Sequence, residues 1–171
     1  ARLVFPMVSL EGQGFWLVRV APVSMRRFLA AKLSVVMLPT IALGCAITAV
    51  VCSTLSFPEH LTQLAVAMAA VNAIVAVCLG VGLGAALPDF NYVNLSRLVQ
   101  GPGGILFIIL SMAYATVLTG SASAFVWFLE RGSMPVADAG LRFLVPPIAL
   151  GILIAGLALR IGVRRLERLR K

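Results

Sequence analysis

Few residues in this chain have the types and spacing that chemistry requires. His60 is the only histidine, and together with Glu59 it offers too few ligands for a metal site. Asp89 has no carboxylate partner near it in the sequence for paired acid–base work. We therefore expect no catalytic residue and no metal ligand in the chain.

The glycines Gly80, Gly82 and Gly84 have the glycine content of a phosphate-binding loop but not its pattern. The motif GxxxxGK[ST], whose backbone and lysine hold nucleotide phosphates, does not occur in the sequence. The glycines lie inside an apolar segment, where Gly80 and Gly84 form a GxxxG pair that lets helices approach closely. We interpret them as helix packing, and we expect neither a bound cofactor nor an enzyme activity of the chain itself.

Four long uncharged runs are the elements that must position any functional residue. Hydrophobic residues make up 61% of the chain and charged residues 12%. A bilayer-spanning helix needs about 20 apolar residues, with a lower limit of about 17. Each run meets that limit: 33–58, 61–88, 98–129 and 143–159. The predicted fold class is all-α, a polytopic transmembrane bundle of four spanning helices with an N-terminal interfacial elbow helix.

The lengths of the segments between the runs predict how the spans are connected. Residues 56–60 are too few for more than a tight turn between the first two spans. Residues 130–142 are enough for a short surface or re-entrant helix, and Pro146 and Pro147 fit the first turn of the last span. The chain divides into a cytoplasmic amphipathic segment (1–32), a four-helix transmembrane domain (33–163) and a basic cytoplasmic tail (164–171).

The distribution of positive charge predicts how the chain is oriented in the membrane. Twelve of the 14 Lys and Arg residues lie before the first span, between the second and third, or after the fourth, and only Arg131 and Arg142 lie on the other side. Cytoplasmic loops retain Lys and Arg, so both termini should be cytoplasmic, as an even number of spans also requires. The net charge of +8 then reflects topology, with anionic membrane lipid and no nucleic acid as its partner.

The first 32 residues differ from the rest, with five cations and a single acid, Glu11. Ser9 is a suitable cap for a helix that should stop near Ala21, because Pro22 disfavours helical geometry in the residue before it. Ser24 is a suitable cap for a second helix that continues into the first span. We expect an elbow at the inner membrane surface, and the alternative is an interfacial anchor that only sets depth.

Two segments resemble the permease part of bacterial ATP-binding cassette exporters. One covers residues 9–24 and continues to Lys32, with a Pro-Val-Ser turn before a basic helix. The other is Leu87-Pro88-Asp89-Phe90-Asn91 after a glycine-rich span. The resemblance covers nearly all 171 residues and implies a half-transporter whose coupling helix, between its second and third spans, touches the ATPase subunit. The first two of the family's six spans are missing here, so we expect a fragment of a longer permease.

The resemblance implies a function and its residues. A separate ATPase subunit and a second permease half would be the partners, in the bacterial cytoplasmic membrane. The residues expected to contact the ATPase are Glu11, Phe15, Trp16 and Arg19. The polar candidates for the substrate path are Asn72, Tyr114 and Thr116, although each could instead bond helix to helix. The alternative function is a structural or assembly subunit without transport activity, and an intramembrane lipid enzyme is disfavoured by the missing catalytic pairs.

The charge pattern makes a testable prediction of topology. Single cysteines placed at His60 or Ser133 should react with a membrane-impermeant maleimide added from outside the cell. Cysteines at Ser24 or Arg168 should react only after permeabilisation, since the basic segments should stay in the cytoplasm. Labelling of Ser24 in intact cells would contradict the predicted orientation.

Overall fold

The computed structural model describes residues 25–87, 101–132 and 135–170, and these form five α-helices. The helices are α1 (Met25–Thr54), α2 (Glu59–Ala86), α3 (Pro102–Glu130), α4 (Val136–Phe143) and α5 (Val145–Arg170). Four helical segments are long and apolar enough to cross a membrane, which confirms the predicted all-α bundle of four spans. The predicted elbow helix over residues 9–21, its break at Pro22 and the loop around Asp89 lie outside the described residues.

The turn between α1 and α2 is as short as predicted and has a defined cap. Ser56 adopts the left-handed conformation, with φ of 55°. Its N–H donates to the carbonyl of Ser53, and the N–H of Phe57 donates to the carbonyl of Cys52. This is the hydrogen-bond pattern of a Schellman motif, which satisfies carbonyls that the helix end leaves free. Pro58 follows and cannot continue the helix, so the chain reverses and α2 begins at Glu59.

Helix α2 is the centre of the bundle. It makes the most extensive helix–helix contact with α5, followed by those with α1 and α3. Its second half is buried on nearly every side, and Val77, Leu79 and Val81 are among the most enclosed side chains of the described chain. An apolar surface all round is typical of a buried helix and of a membrane span alike, so the contacts with its neighbours, and not its composition, make α2 central.

Two apolar clusters join α2 to its neighbours. The first contains Val75, Leu79, Phe107, Tyr114, Leu118 and Ala158, from α2, α3 and α5. The second contains Leu29, Val77, Val81 and Ala85, with Leu33 and Val163 packed against it, and connects α1, α2 and α5. In the second cluster the start of α1 meets the last turns of α5. The tertiary structure thus brings Arg27 and Lys32 to the same end of the bundle as Arg160 and Arg164, which we call the basic end.

Close packing at the basic end depends on glycine. A Cβ atom on Gly82 would lie 2.6 Å from the backbone carbon of Ala158, and one on Gly162 would lie 2.7 Å from the carbonyl oxygen of Gly82. Both distances are too short for a real side chain, so α2 and α5 approach backbone to backbone. The GxxxG residues Gly80 and Gly84 are buried, which agrees with the packing interpretation, and Gly82 between them lies against the backbone of α5.

The opposite end, which we call the turn end, contains the α1–α2 turn and α4. Helix α4 is the short helix that the sequence predicted between the third and fourth spans. Its Ala139 is fully buried, and the rings of Phe128 and Phe143 stack with centroids 5.0 Å apart. Only Leu144 separates α4 from α5, and its N–H still donates to the carbonyl of Gly140. Pro146 and Pro147 follow in the first turn of α5, where their missing N–H groups are tolerated.

Most serine and threonine hydroxyl groups in α1 and α3 donate to a carbonyl of their own helix. Thr40 donates to the carbonyl of Val36 at 2.7 Å, and Thr48 donates to that of Gly44 at 2.8 Å. Ser123 likewise donates to the carbonyl of Thr119 at 3.0 Å. Such local bonds let polar residues lie in hydrocarbon without a partner on another helix.

The close approach of α2 and α5 predicts a large difference between two glycine substitutions. Gly82→Ala should lower the free energy of unfolding by about 1–3 kcal/mol, the usual cost of overpacking, because the new methyl group meets backbone atoms that cannot rotate away. The matched control is Gly156→Ala on α5, where a Cβ meets nothing within 4 Å. The control should be neutral or slightly stabilising. Denaturant-induced unfolding in detergent measures both, and equal stability of the two variants would contradict the close packing.

Candidate functional site

The structure describes the residues of the predicted substrate path but not those of the predicted ATPase contact. Glu11, Phe15, Trp16 and Arg19 lie outside the described residues, so their role stays a prediction. Asn72, Tyr114 and Thr116 are described, and the structure places them in three different environments.

A groove opens between α2 and α3 at the turn end, with a volume of about 710 Å³. We call it the turn-end groove. Its α2 wall is formed by Leu61, Leu64, Ala65, Met68, Ala69 and Asn72, and its α3 wall by Leu118, Thr119, Ala122, Ser123, Val126, Trp127 and Glu130. Cys52 and Phe57 close one side. The spacing of three and four residues on both walls means that one face of each helix lines the groove.

The groove exists because the side chains that face each other between α2 and α3 become smaller toward the turn end. Phe107, Tyr114 and Leu118 of α3 pack against Val75 and Leu79 of α2 in the first apolar cluster. Toward the turn end, the facing positions include small residues: Ala65, Ala69, Ala122 and Ser123. Small side chains leave space between two helices that larger ones would fill. The groove therefore begins where this cluster ends.

Asn72 is the one path candidate that lines the groove. It is half-buried and lies near the middle of α2, at the deep end of the groove. An amide at that depth is polar enough to orient a bound molecule through a hydrogen bond. This position is compatible with the predicted path role.

Tyr114 lies in the core and not in the groove. Its side chain is buried, and its hydroxyl donates to the carbonyl of Pro147 on α5 at 3.3 Å. A Cβ on Gly151 would collide with the Tyr114 hydroxyl oxygen, so that glycine makes room for the ring. This geometry favours the helix-to-helix alternative for Tyr114.

Thr116 is exposed on α3 and is absent from the groove lining. Its hydroxyl donates to the carbonyl of Met112 in the preceding turn, at 2.9 Å. This bond involves neither a second helix nor the groove. Tyr114 and Thr116 are thus not brought together with Asn72 in one site, and a path role for either stays a prediction.

Sequence reasoning did not single out Thr119, Ser123 or Glu130, which share the groove with Asn72. A signal was present, because Thr119 and Ser123 are four residues apart and so lie on one helix face, with Trp127 four residues further on. The sequence could not show that this face meets Asn72.

Aromatic and charged residues surround the mouth of the groove. Glu130 is exposed there, and the guanidinium carbon of Arg131 lies 3.9 Å from the centroid of the Trp127 ring. This distance is that of a cation–π contact. Tryptophan at the end of an apolar helix is typical of the boundary between hydrocarbon and lipid headgroups. The mouth therefore lies at headgroup depth when the helices cross a bilayer.

The environments of the two hydroxyl groups on α3 predict different effects of their removal. Tyr114→Phe should lower the free energy of unfolding by about 1 kcal/mol, because it removes a buried hydrogen bond between α3 and α5. Thr116→Val is the control on the same helix, and it should change stability by less than about 0.5 kcal/mol because it removes no contact between helices. Unfolding followed by tryptophan fluorescence in detergent measures both. An unchanged stability of Tyr114→Phe would show that the hydroxyl does not hold the helices together.

Comparison with known proteins identifies a family. The family described as "Putative ATP-binding cassette" matches residues 1–170, nearly the whole chain. No curated protein and no solved structure matched the chain. The family match, together with four helices long and apolar enough to cross a membrane, agrees with the relation to ATP-binding cassette transporters that the sequence motifs suggested. The chain belongs to this ATP-binding cassette family.

Proposed function

We propose that the chain is the membrane-spanning permease part of an ATP-driven exporter in a bacterial cytoplasmic membrane. The observation that carries this proposal is the extent of the family match, which covers residues 1–170 and therefore all four apolar helices. The region that matches the family therefore contains all the helices that are apolar enough to cross a membrane. Its sequence lacks the phosphate-binding motif GxxxxGK[ST]. A separate ATPase subunit would bind and hydrolyse ATP.

The packing at the basic end supports a mechanical role. Leu29 at the start of α1 packs in one cluster with Val77, Val81 and Ala85 of α2, and Val163 of α5 packs against the same cluster. A force applied to the segment before α1 would therefore reach three helices together. Well-packed interiors transmit such strain because they have low compressibility. The elbow proposed for residues 1–32 is the segment that would receive the force from the ATPase.

The turn end is packed less completely, which suits the moving part of a permease. The turn-end groove separates the walls of α2 and α3 there. A rigid basic end and an opening turn end would let α3 tilt away from α2 when the ATPase closes on ATP. In this mechanism the chain makes and breaks no covalent bond.

A second permease half would cover apolar surface that this chain leaves exposed. Val35 is 67% exposed and Leu38 is 75% exposed, and both lie on α1, which has little of its apolar length buried. Lipid covers part of such a surface in any membrane protein. A two-fold assembly of permease halves would cover a further part, as closed symmetry is usual for paired subunits.

The proposal predicts that the N-terminal aromatic pair binds the ATPase. Replacing Phe15 and Trp16 with Ala in the full-length protein should reduce recovery of the ATPase subunit about 30-fold, since loss of a buried aromatic anchor costs about 2 kcal/mol or more of binding. ATP hydrolysis should then become uncoupled from export. Pull-down of the ATPase with wild-type and doubly substituted permease measures the effect.

The control for this experiment is an aromatic residue of similar size at the other end of the bundle. Phe57→Ala lies in the turn between α1 and α2 and should leave ATPase recovery unchanged. Membrane insertion of each variant is checked by the cysteine-labelling pattern. Equal ATPase recovery for all variants, with normal transport, would contradict the coupling role and favour the structural or assembly subunit.

A further inference from the structure

We infer that the turn-end groove binds one membrane phospholipid, with an acyl chain lying along the groove and the headgroup at its mouth. The inference requires only that the helices cross a bilayer, and it does not depend on the proposed coupling to an ATPase. The depth and the charges of the groove point to this occupant, and its width admits an acyl chain.

The depth of the groove matches one leaflet of a bilayer. Its α2 wall runs from Leu61 to Asn72 and its α3 wall from Glu130 to Leu118. At about 1.5 Å per residue these walls are about 17–18 Å long. One leaflet contributes about 15 Å to the hydrocarbon core. The groove thus begins at headgroup depth near Trp127 and ends close to the bilayer midplane, as an acyl chain does.

The groove is wide enough for an acyl chain. A volume of about 710 Å³ spread over walls of about 17 Å leaves room for a polymethylene chain, which is one carbon wide. A span of a second copy of the chain is the competing occupant, and the experiment below distinguishes the two.

The lining has the polarity that a phospholipid requires. The middle of the groove is formed by apolar groups, among them Ala65, Met68, Ala69 and Val126. The hydroxyl of Ser123 is directed to the carbonyl of Thr119, so it presents no unsatisfied donor to an acyl chain. An apolar cleft with a few polar groups at its ends is the usual form of a site for an amphipathic ligand.

Charged residues at the mouth are complementary to a phospholipid headgroup. Arg131 stands on the Trp127 ring, and its guanidinium has donors enough to bind a phosphate while it keeps that contact. Glu130, next to it, lines the mouth and can accept a hydrogen bond from an ammonium headgroup. A zwitterionic phospholipid satisfies both charges.

Photo-crosslinking in vesicles tests this inference. The full-length chain is reconstituted in phosphatidylethanolamine–phosphatidylglycerol vesicles that contain a small fraction of phosphatidylethanolamine with a diazirine on one acyl chain. After irradiation, mass spectrometry locates the adducts. Adducts should concentrate on groove residues 64–72 and 118–127 over equally apolar but exposed positions such as Leu38 and Ile152.

Filling the groove should remove these adducts. Ala69→Trp should lower the groove adducts about tenfold, which corresponds to about 1.4 kcal/mol of binding free energy. The matched control is Ala67→Trp, which adds the same side chain at an exposed position of α2 outside the groove. It should leave the adducts unchanged. If Ala69→Trp does not fold, as judged by its elution and thermal unfolding, Ala122→Phe on the opposite wall replaces it, with Ala113→Phe as the exposed control on α3.

Two results would overturn the inference. Adducts spread evenly over all exposed apolar positions, unaffected by Ala69→Trp, would show only the lipid that surrounds every membrane protein. Protection of the groove from the lipid probe, with crosslinks between two copies of the chain at residues 64–72, would show that protein occupies the groove.

Discussion

The bundle depends on the backbone-to-backbone approach of α2 and α5. At Gly82 and Gly162 no Cβ atom could be accommodated, and Ala85 and Ala158 complete the contact. Lipid tails are as apolar as leucine, so helices in a bilayer gain little from hiding apolar surface and much from close van der Waals packing. The small residues make that packing possible. With α5 seated on α2, the same end of α2 can also receive α1.

This constraint explains the contrast between the two ends. At the basic end, α1, α2 and α5 share one cluster, and the cations of α1 and α5 lie at the same end of the bundle. At the turn end, small residues again occur, at Ala65, Ala69 and Ala122, but there they face a groove and not a neighbouring backbone. The same residue type thus has two roles, and the position of the neighbouring helix determines which one it plays. The proposed permease role would use one end to transmit force and the other to yield.

Polar residues in the spans illustrate how the tertiary structure separates positions that are alike in sequence. Asn72, Tyr114 and Thr116 are all uncharged polar residues within apolar helices. One lines the groove, one bonds α3 to α5 through Pro147, and one bonds only to its own helix. Burying a polar side chain in hydrocarbon is costly unless it is hydrogen-bonded. Tyr114 finds its acceptor on α5 and Thr116 on its own helix, whereas Asn72 faces the groove, because each position has a different neighbour.

The sequence by itself determined the number of spanning helices, the tight turn after α1, the room for α4 and the placing of most cations before or after the spans. These features are local or compositional: run length, proline and glycine positions, and charge distribution can be read without knowing which helices touch. Sequence motifs also indicated the ATP-binding cassette relation. Only the tertiary structure decided that α2 is central, that Gly82 lies against the backbone of α5, and that Thr119 and Ser123 share a groove with Asn72. An apolar helix has a similar hydrophobic surface on every side, so its sequence does not specify which face meets which neighbour until shape complementarity with the other helices selects one arrangement.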